Sequence, residues 1–394
     1  MKTIQSDDDL GHPLCENLRS GNWLISYLTA KVHYDFDKEM DVRSCLKPLQ
    51  FTKIIATLYD TILKSIHSLL KTSSKPLFFK LLALGSTALM GKVDNLELAP
   101  YKDESFENST FAAGVPHFAE GVWRMWGRDV FISLPGSLLK LNRLKEARAL
   151  ILSFAAKLKN GLIPNLYYGD ARYNARDACW FWLNSVKEYS KYEPSILTEV
   201  KEVINSIIES HVEGIDFTED AEDHAMKEEG FKISAKIDGN GFVTGGNEFN
   251  CGTWMDKMGS GGRPATSRNG AAIELTCLLY SALDIWDDPT SSCRSTELKT
   301  RISKNFRNSF FDKYYYNDVC GGPQNRPNQF IGMTIAKELF SKTDKETVIE
   351  TALSEKMLGK LGMATLSPAD VCYDPYYDGG DNYHQGPEFS IRKK

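Results

Sequence analysis

Apolar residues recur three and four positions apart over long stretches of this chain, the spacing that gathers them on one face of a helix. Ile54, Ile55, Leu58, Ile62, Ile66, Leu69 and Leu70 form such a stripe over residues 52–71. Leu138, Leu141, Leu144, Ala147, Ile151, Phe154 and Leu158 form a second over 137–158. Ile196, Val200, Val203, Ile204, Ile207, Ile208 and Ile215 form a third over 195–215. Weaker stripes predict helices within 271–286, 298–311, 330–340 and 344–361. One segment has the period of two that marks a strand. Phe231, Ile233, Ala235 and Ile237 alternate with polar positions, and Asp238-Gly239-Asn240-Gly241 offers a turn before Phe242 and Val243. Neither a strand–helix–strand alternation nor a fixed-period repeat is visible, which disfavours a barrel of parallel strands, a doubly wound sheet or a solenoid. The pattern predicts an all-α array with a small β-hairpin in a loop.

The loops between these stripes have an unusual composition. Trp, Tyr, Asn, Asp, Arg and Gly crowd into 123–129, 167–182, 245–256 and 373–388. Loops on a rigid scaffold are where function concentrates. With 394 residues, 42% of them hydrophobic, the chain can bury a large core. A net charge of −5 removes the basic footprint that nucleic acid requires. The most apolar stretch, Pro76 to Met90, is too short for a bilayer and contains Lys80, Ser86 and Thr87, so no membrane partner is expected. Met1 to Leu10 holds three aspartates and no apolar core of a secretory signal. The eight cysteines include no CxxC pair, the usage of free thiols in a reducing compartment, and a cytoplasmic location is expected.

Four segments carry candidate chemistry. Trp123-Arg124-Met125-Trp126-Gly127-Arg128-Asp129 joins two aromatics, two guanidiniums and a carboxylate; it reads equally as a buried Arg–Asp pair packed by tryptophan. In Arg172 to Trp182, Asp177 precedes the bulky run Trp180-Phe181-Trp182. Desolvation there raises a carboxyl pKa and suits a general acid, while an N-cap or an Arg176 partner is the structural alternative. Asn250-Cys251-Gly252-Thr253-Trp254-Met255-Asp256 again sets a carboxylate beside a tryptophan, and Asn382 to Glu388 offers Tyr383, His384, Gln385 and Glu388. Aromatic rings stack on the CH face of a pyranose and polar side chains bind its hydroxyl rim, so the composition fits a sugar site, as it fits other polar pockets. Glycoside hydrolysis needs two carboxyl groups flanking the scissile bond; spacing alone does not pair them. No Walker A loop, GxSxG or HExxH motif is present.

Longer ordered motifs carry a resemblance. Ala112-Ala113-Gly114-Val115-Pro116-His117-Phe118, Trp126-Gly127-Arg128-Asp129, Gly161-Leu162-Ile163-Pro164-Asn165-Leu166, Tyr173-Asn174 with Arg176-Asp177-Ala178, Gly252 to Gly259 and Asn382 to Glu388 resemble the C-terminal, amylo-α-1,6-glucosidase region of the glycogen debranching enzyme family. Upstream, Leu10 to Leu14 and Glu16 to Gly21 extend the resemblance over roughly residues 10–388. It implies an (α/α)6 toroid, with 1–110 an N-terminal helical part and 111–394 the glucosidase domain, lacking its last helices. It implies inverting hydrolysis of the single α-1,6-linked glucose at a branch of glycogen or limit dextrin, without metal or organic cofactor. Asp177 would be the general acid. Trp126, Arg128, Asp129, Asn250, Trp254, Asp256, His384, Gln385 and Glu388 would bind substrate. The family's transferase half is absent, Asn269 stands where the family usually has Asp, and the catalytic base is expected beyond Lys394. Catalytic competence of the chain alone is therefore in doubt on sequence grounds, and a non-catalytic glucan-binding fragment is the alternative.

Overall fold

The computed structural model describes residues 47–92, 109–114, 117–119, 123–168, 170–220, 227–258, 263–286, 293–360 and 362–373. The chain divides into two compact units, with the boundary between Leu81 and Leu82. In the first unit α1 (Lys47–Leu69) buries Ile54 and Leu58, and Lys71 closes it in the left-handed region at φ 53°. The boundary falls within α2 (Leu77–Leu89).

Among its described residues the second unit is helix-rich with three small antiparallel sheets. Its helices are α3 (Gly127–Ser137), α4 (Leu144–Ala155), α5 (Ala178–Ser190), α6 (Ile196–Glu199), α7 (Lys201–Glu213), α8 (Ile273–Ala282), α9 (Ser295–Phe310), α10 (Asn328–Ile335) and α11 (Lys342–Ser354). β1 (Met90–Lys92) pairs with β2 (Ser109–Phe111), and β3 (Leu166–Tyr168) with β4 (Asp170–Arg172). β5 (Ile215–Thr218), β6 (Lys232–Ile237) and β7 (Val243–Gly245) form one sheet in that order, with Ala235 opposite both Ile215 and Gly245. The hairpin expected from alternation is thus β6–β7, joined by a third strand. Among the described residues no helix is long and apolar enough to cross a membrane.

Alternate helices form the interior. α3 packs on α5, α5 on α8 and α8 on α10. α5 buries Cys179, Trp180, Phe181, Trp182, Leu183, Val186 and Tyr189, and α8 buries every residue from Ile273 to Leu279. α5 opens with an unbroken buried run, Ala178 to Leu183, that shows no amphipathic stripe, which is why this run reads as part of a loop in the sequence. The helices between are one-faced. α9 buries only Leu298, Ile302, Phe306 and Phe310, four residues apart, against α8.

Two expected helices are divided. The stripe over 137–158 spans the end of α3, a 3-10 turn at Leu139–Leu141 and α4, with Asn142 turning the chain at φ 57°. The stripe over 195–215 breaks at Val200 between α6 and α7, and Ile215 starts β5. α3 itself escapes the pattern because Gly127, Pro135 and Gly136 are poor helix formers. Pro135 has no N–H for the carbonyl of Phe131. The Ser185 hydroxyl of α5 donates to that carbonyl instead, at 2.8 Å.

The start of α3 is pressed onto the 162–166 segment. Gly127 N–H donates to the Asn165 carbonyl at 2.7 Å. A Cβ on residue 127 would lie 2.2 Å from the Pro164 carbonyl oxygen and 3.0 Å from the Phe154 ring. The glycine of Trp-Gly-Arg-Asp is therefore a close-approach residue that lets Arg128 enter the interior. Gly127→Ala is expected to cost about 1–3 kcal/mol of stability by overpacking. Gly136→Ala, with open space around its Cβ, should be stabilising by roughly 0.5–1 kcal/mol. Urea unfolding of the two variants checks the opposite signs.

Candidate active site

Polar residues gather where the four interior helices begin. Arg128 is the second residue of α3, Asp177 immediately precedes α5, Glu274 is the second residue of α8 and Asn328 the first of α10. Helix N-termini present unpaired N–H groups and a positive dipole end, which favour carboxylates.

Arg128 is the centre of one cluster. Its Nε lies 2.8 Å from each Asp177 carboxylate oxygen, and its Nη1 donates to Asp256 Oδ2 at 2.7 Å. Asp177 is fully buried, whereas the Asp256 side chain is 39% exposed. Burial alone would lower the Arg128 pKa, but Asp177, Asp256 and Asp129 outweigh it and hold the guanidinium firmly charged. Burial pushes the Asp177 carboxyl up to about 6 although Arg128 pulls it down. Burial likewise raises Asp129, against Arg128. Asp177 occupies the N-cap position of α5 but its side chain makes no capping bond; it is spent on Arg128. Neither of the structural alternatives offered by the sequence, a cap or an Arg176 partner, describes it.

A second cluster lies behind the first. Arg268, a non-glycine residue at φ 50°, donates from Nε and Nη2 to the two Asp318 carboxylate oxygens, both at 2.9 Å, and closes a second ion pair with Glu274. Asn328 Nδ2 donates to Asp318 Oδ1 at 2.6 Å, and Trp254 Nε1 donates to Asn328 Oδ1 at 2.8 Å. Arg176 joins the clusters: it donates to the carbonyls of Gly245, Gly270 and Arg268, the second at 2.8 Å. With carbonyls rather than carboxylates as partners, burial and the neighbouring Arg268 lower its pKa to about 10. Its N–H also donates to the Gly252 carbonyl at 2.9 Å, tying the 250–258 loop to Asp177.

The structure therefore brings Arg128, Asp177 and Asp256 into one contact set, with Asp129 close enough to act on Arg128. Trp254 sits half-buried in the same loop as Asp256. Trp126 stacks on exposed Trp123 at 5.9 Å and 11°, edge-on to Phe118. Asn250 is buried and spends its Nδ2 on the Gly230 carbonyl at 2.8 Å, a loop-bracing contact. Trp126 Nε1 and Arg128 Nη2 are buried donors with no hydrogen-bond acceptor among the described residues. His384, Gln385 and Glu388 lie outside the described residues. Sequence reasoning missed Arg268, Glu274, Asp318 and Asn328. The first two lie in an ordinary loop–helix junction, and the last two are scattered polar residues that only the fold unites.

Two outcomes follow. Replacing Arg128 by Met strands Asp177 without its cation, and about 3–5 kcal/mol of stability should be lost in urea unfolding. Asp177, raised in the native state, binds a proton that the unfolded chain releases, so its contribution is full near pH 4 and lost as pH rises through about 6. The stability of the wild type relative to Asp177→Asn should fall over that window; a constant gap would show that Asp177 titrates as an exposed carboxylate.

The family described as Amylo-alpha-1,6-glucosidase matches residues 86–392, and the central domain of human glycogen debranching enzyme matches residues 1–32. The glycogen debranching enzyme of Saccharomyces cerevisiae (strain ATCC 204508 / S288c) is 34% identical over 501 aligned residues, covering 99% of this chain and 32% of the yeast protein. The chain thus spans about a third of the length of the curated relative it matches. The motifs that build the Arg128 cluster all fall inside the first match, and the chain belongs to the amylo-alpha-1,6-glucosidase family.

Proposed function

We propose that the Arg128 cluster is the site of an α-1,6-glucosidase that hydrolyses the single glucose left at a branch point of glycogen or limit dextrin. The observation that carries this reading is the buried guanidinium shared between a sealed and an open carboxylate, beside half-buried tryptophans, in a chain of this family. The donors on Trp126 Nε1 and Arg128 Nη2 suit hydroxyl oxygens, since buried donors are rarely left unpaired. The fold supports the same reading. The row α3, α5, α8, α10, with α4, α7, α9 and α11 intervening in sequence, has the inner and outer alternation of an (α/α)6 toroid, with the site at the N-terminal ends of its inner helices.

In the inverting reaction, an acid protonates the departing glycosidic oxygen while a base takes a proton from the attacking water. The resemblance gives the acid role to Asp177, and its elevated pKa of about 6 favours that role. Asp256, the other carboxylate on Arg128, is open to solvent and placed to accept from a sugar hydroxyl. We assign proton delivery to Asp177 and substrate binding to Asp256. In the resting site Arg128 keeps Asp256 oriented, and Asp177 keeps Arg128 oriented.

Leaving-group chemistry separates the two carboxylates. α-Glucosyl fluoride departs without protonation, whereas an α-1,6 disaccharide requires it. Asp177→Asn should lower glucose release from isomaltose by at least about a hundredfold, the scale of general-acid catalysis, and spare the fluoride. Asp256→Asn should impair both. The reverse pattern gives the acid role to Asp256. A folded wild-type chain that binds limit dextrin yet releases glucose from neither substrate would be a glucan-binding fragment, and the hydrolytic reading of this chain would fall.

A further inference from the structure

The loop that carries Trp254 and Asp256 has no regular structure of its own. Residues 250–257 form neither helix nor strand, and Met258 makes only an isolated bridge to Pro264. Something outside the loop has to set the plane of the Trp254 ring and, two residues on, the position of Asp256. The Gly252 carbonyl is fixed by Arg176 N–H. Trp254 is fixed by Asn328, which stands 74 residues away at the start of α10.

We infer that Asn328 is a positioning residue of the glucosidase site: its amide couples the Trp254 indole to the buried Asp318–Arg268 ion pair, so that the sugar-facing loop takes its orientation from the helix ends behind it. The inference rests on the reading of this pocket as a glucose site. Its geometry follows from donor and acceptor chemistry. An indole N–H can only donate and a carboxylate can only accept. Asn328, fully buried, meets both demands at once, with Oδ1 toward Trp254 at 2.8 Å and Nδ2 toward Asp318 at 2.6 Å. One amide orientation satisfies both partners, and the reverse satisfies neither. Asp318 is itself immobilised: Arg268 grips both of its oxygens at 2.9 Å, and Arg326 stands 3.7 Å away. The same Asn328 Nδ2 lies 3.4 Å from the sulfur of Met255, between Trp254 and Asp256. Arg268 also presents its carbonyl to Arg176, the residue before Asp177. The two carboxylates that meet on Arg128 therefore hang from one buried network, Asp177 through Arg176 and Asp256 through Trp254 and Asn328.

An isosteric substitution makes this testable without dismantling the fold. In Asn328→Asp, a neutral carboxyl can donate its O–H to Asp318 and accept the indole N–H on its other oxygen, which reproduces the amide. An ionised one cannot donate, and it places a negative charge against Asp318. The groups facing this position are Asp318 and Glu274, which favour the neutral form, and Arg268 and Arg326, which favour the charged form. Asp318 is the one in direct contact, and it sets the sign: the native bond pattern holds at low pH and is lost as pH rises.

The experiment uses the full chain with indole-15N-labelled tryptophan. Its seven tryptophans give seven indole N–H resonances, and the one missing in Trp254→Phe is assigned to Trp254. That resonance should shift in Asn328→Ala and should shift with pH only in Asn328→Asp. Isomaltose affinity, read by tryptophan fluorescence and compared with wild type at each pH, should fall about tenfold in Asn328→Ala and in Trp254→Phe, the loss of one hydrogen bond. In Asn328→Asp it should match wild type at pH 5 and fall about tenfold by pH 8. An unmoved Trp254 resonance in Asn328→Ala overturns the inference. So does unchanged isomaltose affinity in every Asn328 variant alongside a lowered melting temperature, which would make the residue structural only. If the resonances behave as expected but the wild type binds no isomaltose, the indole placement stands and the glucose-site reading fails.

Discussion

Arg128, Arg176, Arg268 and Arg326 are all withdrawn from water at one end of the interior helices. An unmatched guanidinium there would cost several kcal/mol, and four helix N-termini add further positive potential. The rest of the site is the answer to that constraint. Asp177 and Asp256 balance Arg128, and Glu274 and Asp318 balance Arg268. Arg326 donates to the Thr365 carbonyl at 2.9 Å and the Gln324 side chain at 3.1 Å. Arg176 and Arg326 thus both hydrogen-bond to carbonyl oxygens instead of carboxylates, and burial lowers the pKa of both, that of Arg176 to about 10. Carboxylates at these helix ends are thus demanded by the fold before any substrate is considered. A sugar site inherits them already placed and already biased in acidity.

That double origin explains why the sequence motifs read two ways. Trp123 to Asp129 suggests either a buried Arg–Asp pair or a pocket wall, and it is both: Arg128 is buried in an ion pair, while its remaining hydrogen-bonding capacity and Trp126 are unspent. The pairing itself was not legible. Asp129 is adjacent in sequence, yet the partners of Arg128 lie 49 and 128 residues away. Asp177 carries the desolvation that its neighbours Trp180 and Phe181 foretell, in a more extreme form, with no exposed surface left.

Legibility of the fold divides along the same physical line. α4, α7 and α9 face water on one side, and their apolar stripes announce them. α5 opens with an unbroken buried run from Ala178 to Leu183, in which no period shows; α8 leaves only a weak trace because it is buried from Ile273 to Leu279. α3 contains Pro135, Gly127 and Gly136, and two of these are explained by something distant: Pro135 by the Ser185 hydroxyl and Gly127 by the Pro164 carbonyl. β1 to β4 are three residues long, below any periodicity. The interior row that bears the site is consequently the part a single sequence shows least.

The 128-residue span between Arg128 and Asp256 also orders events in time. A ribosome adds about 5–20 residues each second, so Arg128 emerges many seconds before the carboxylate that completes its coordination. During that interval α3 cannot settle into its final place without burying a partly matched charge. The motif that begins the site is made early, and its charge is fully matched only once the 250–258 loop has been made.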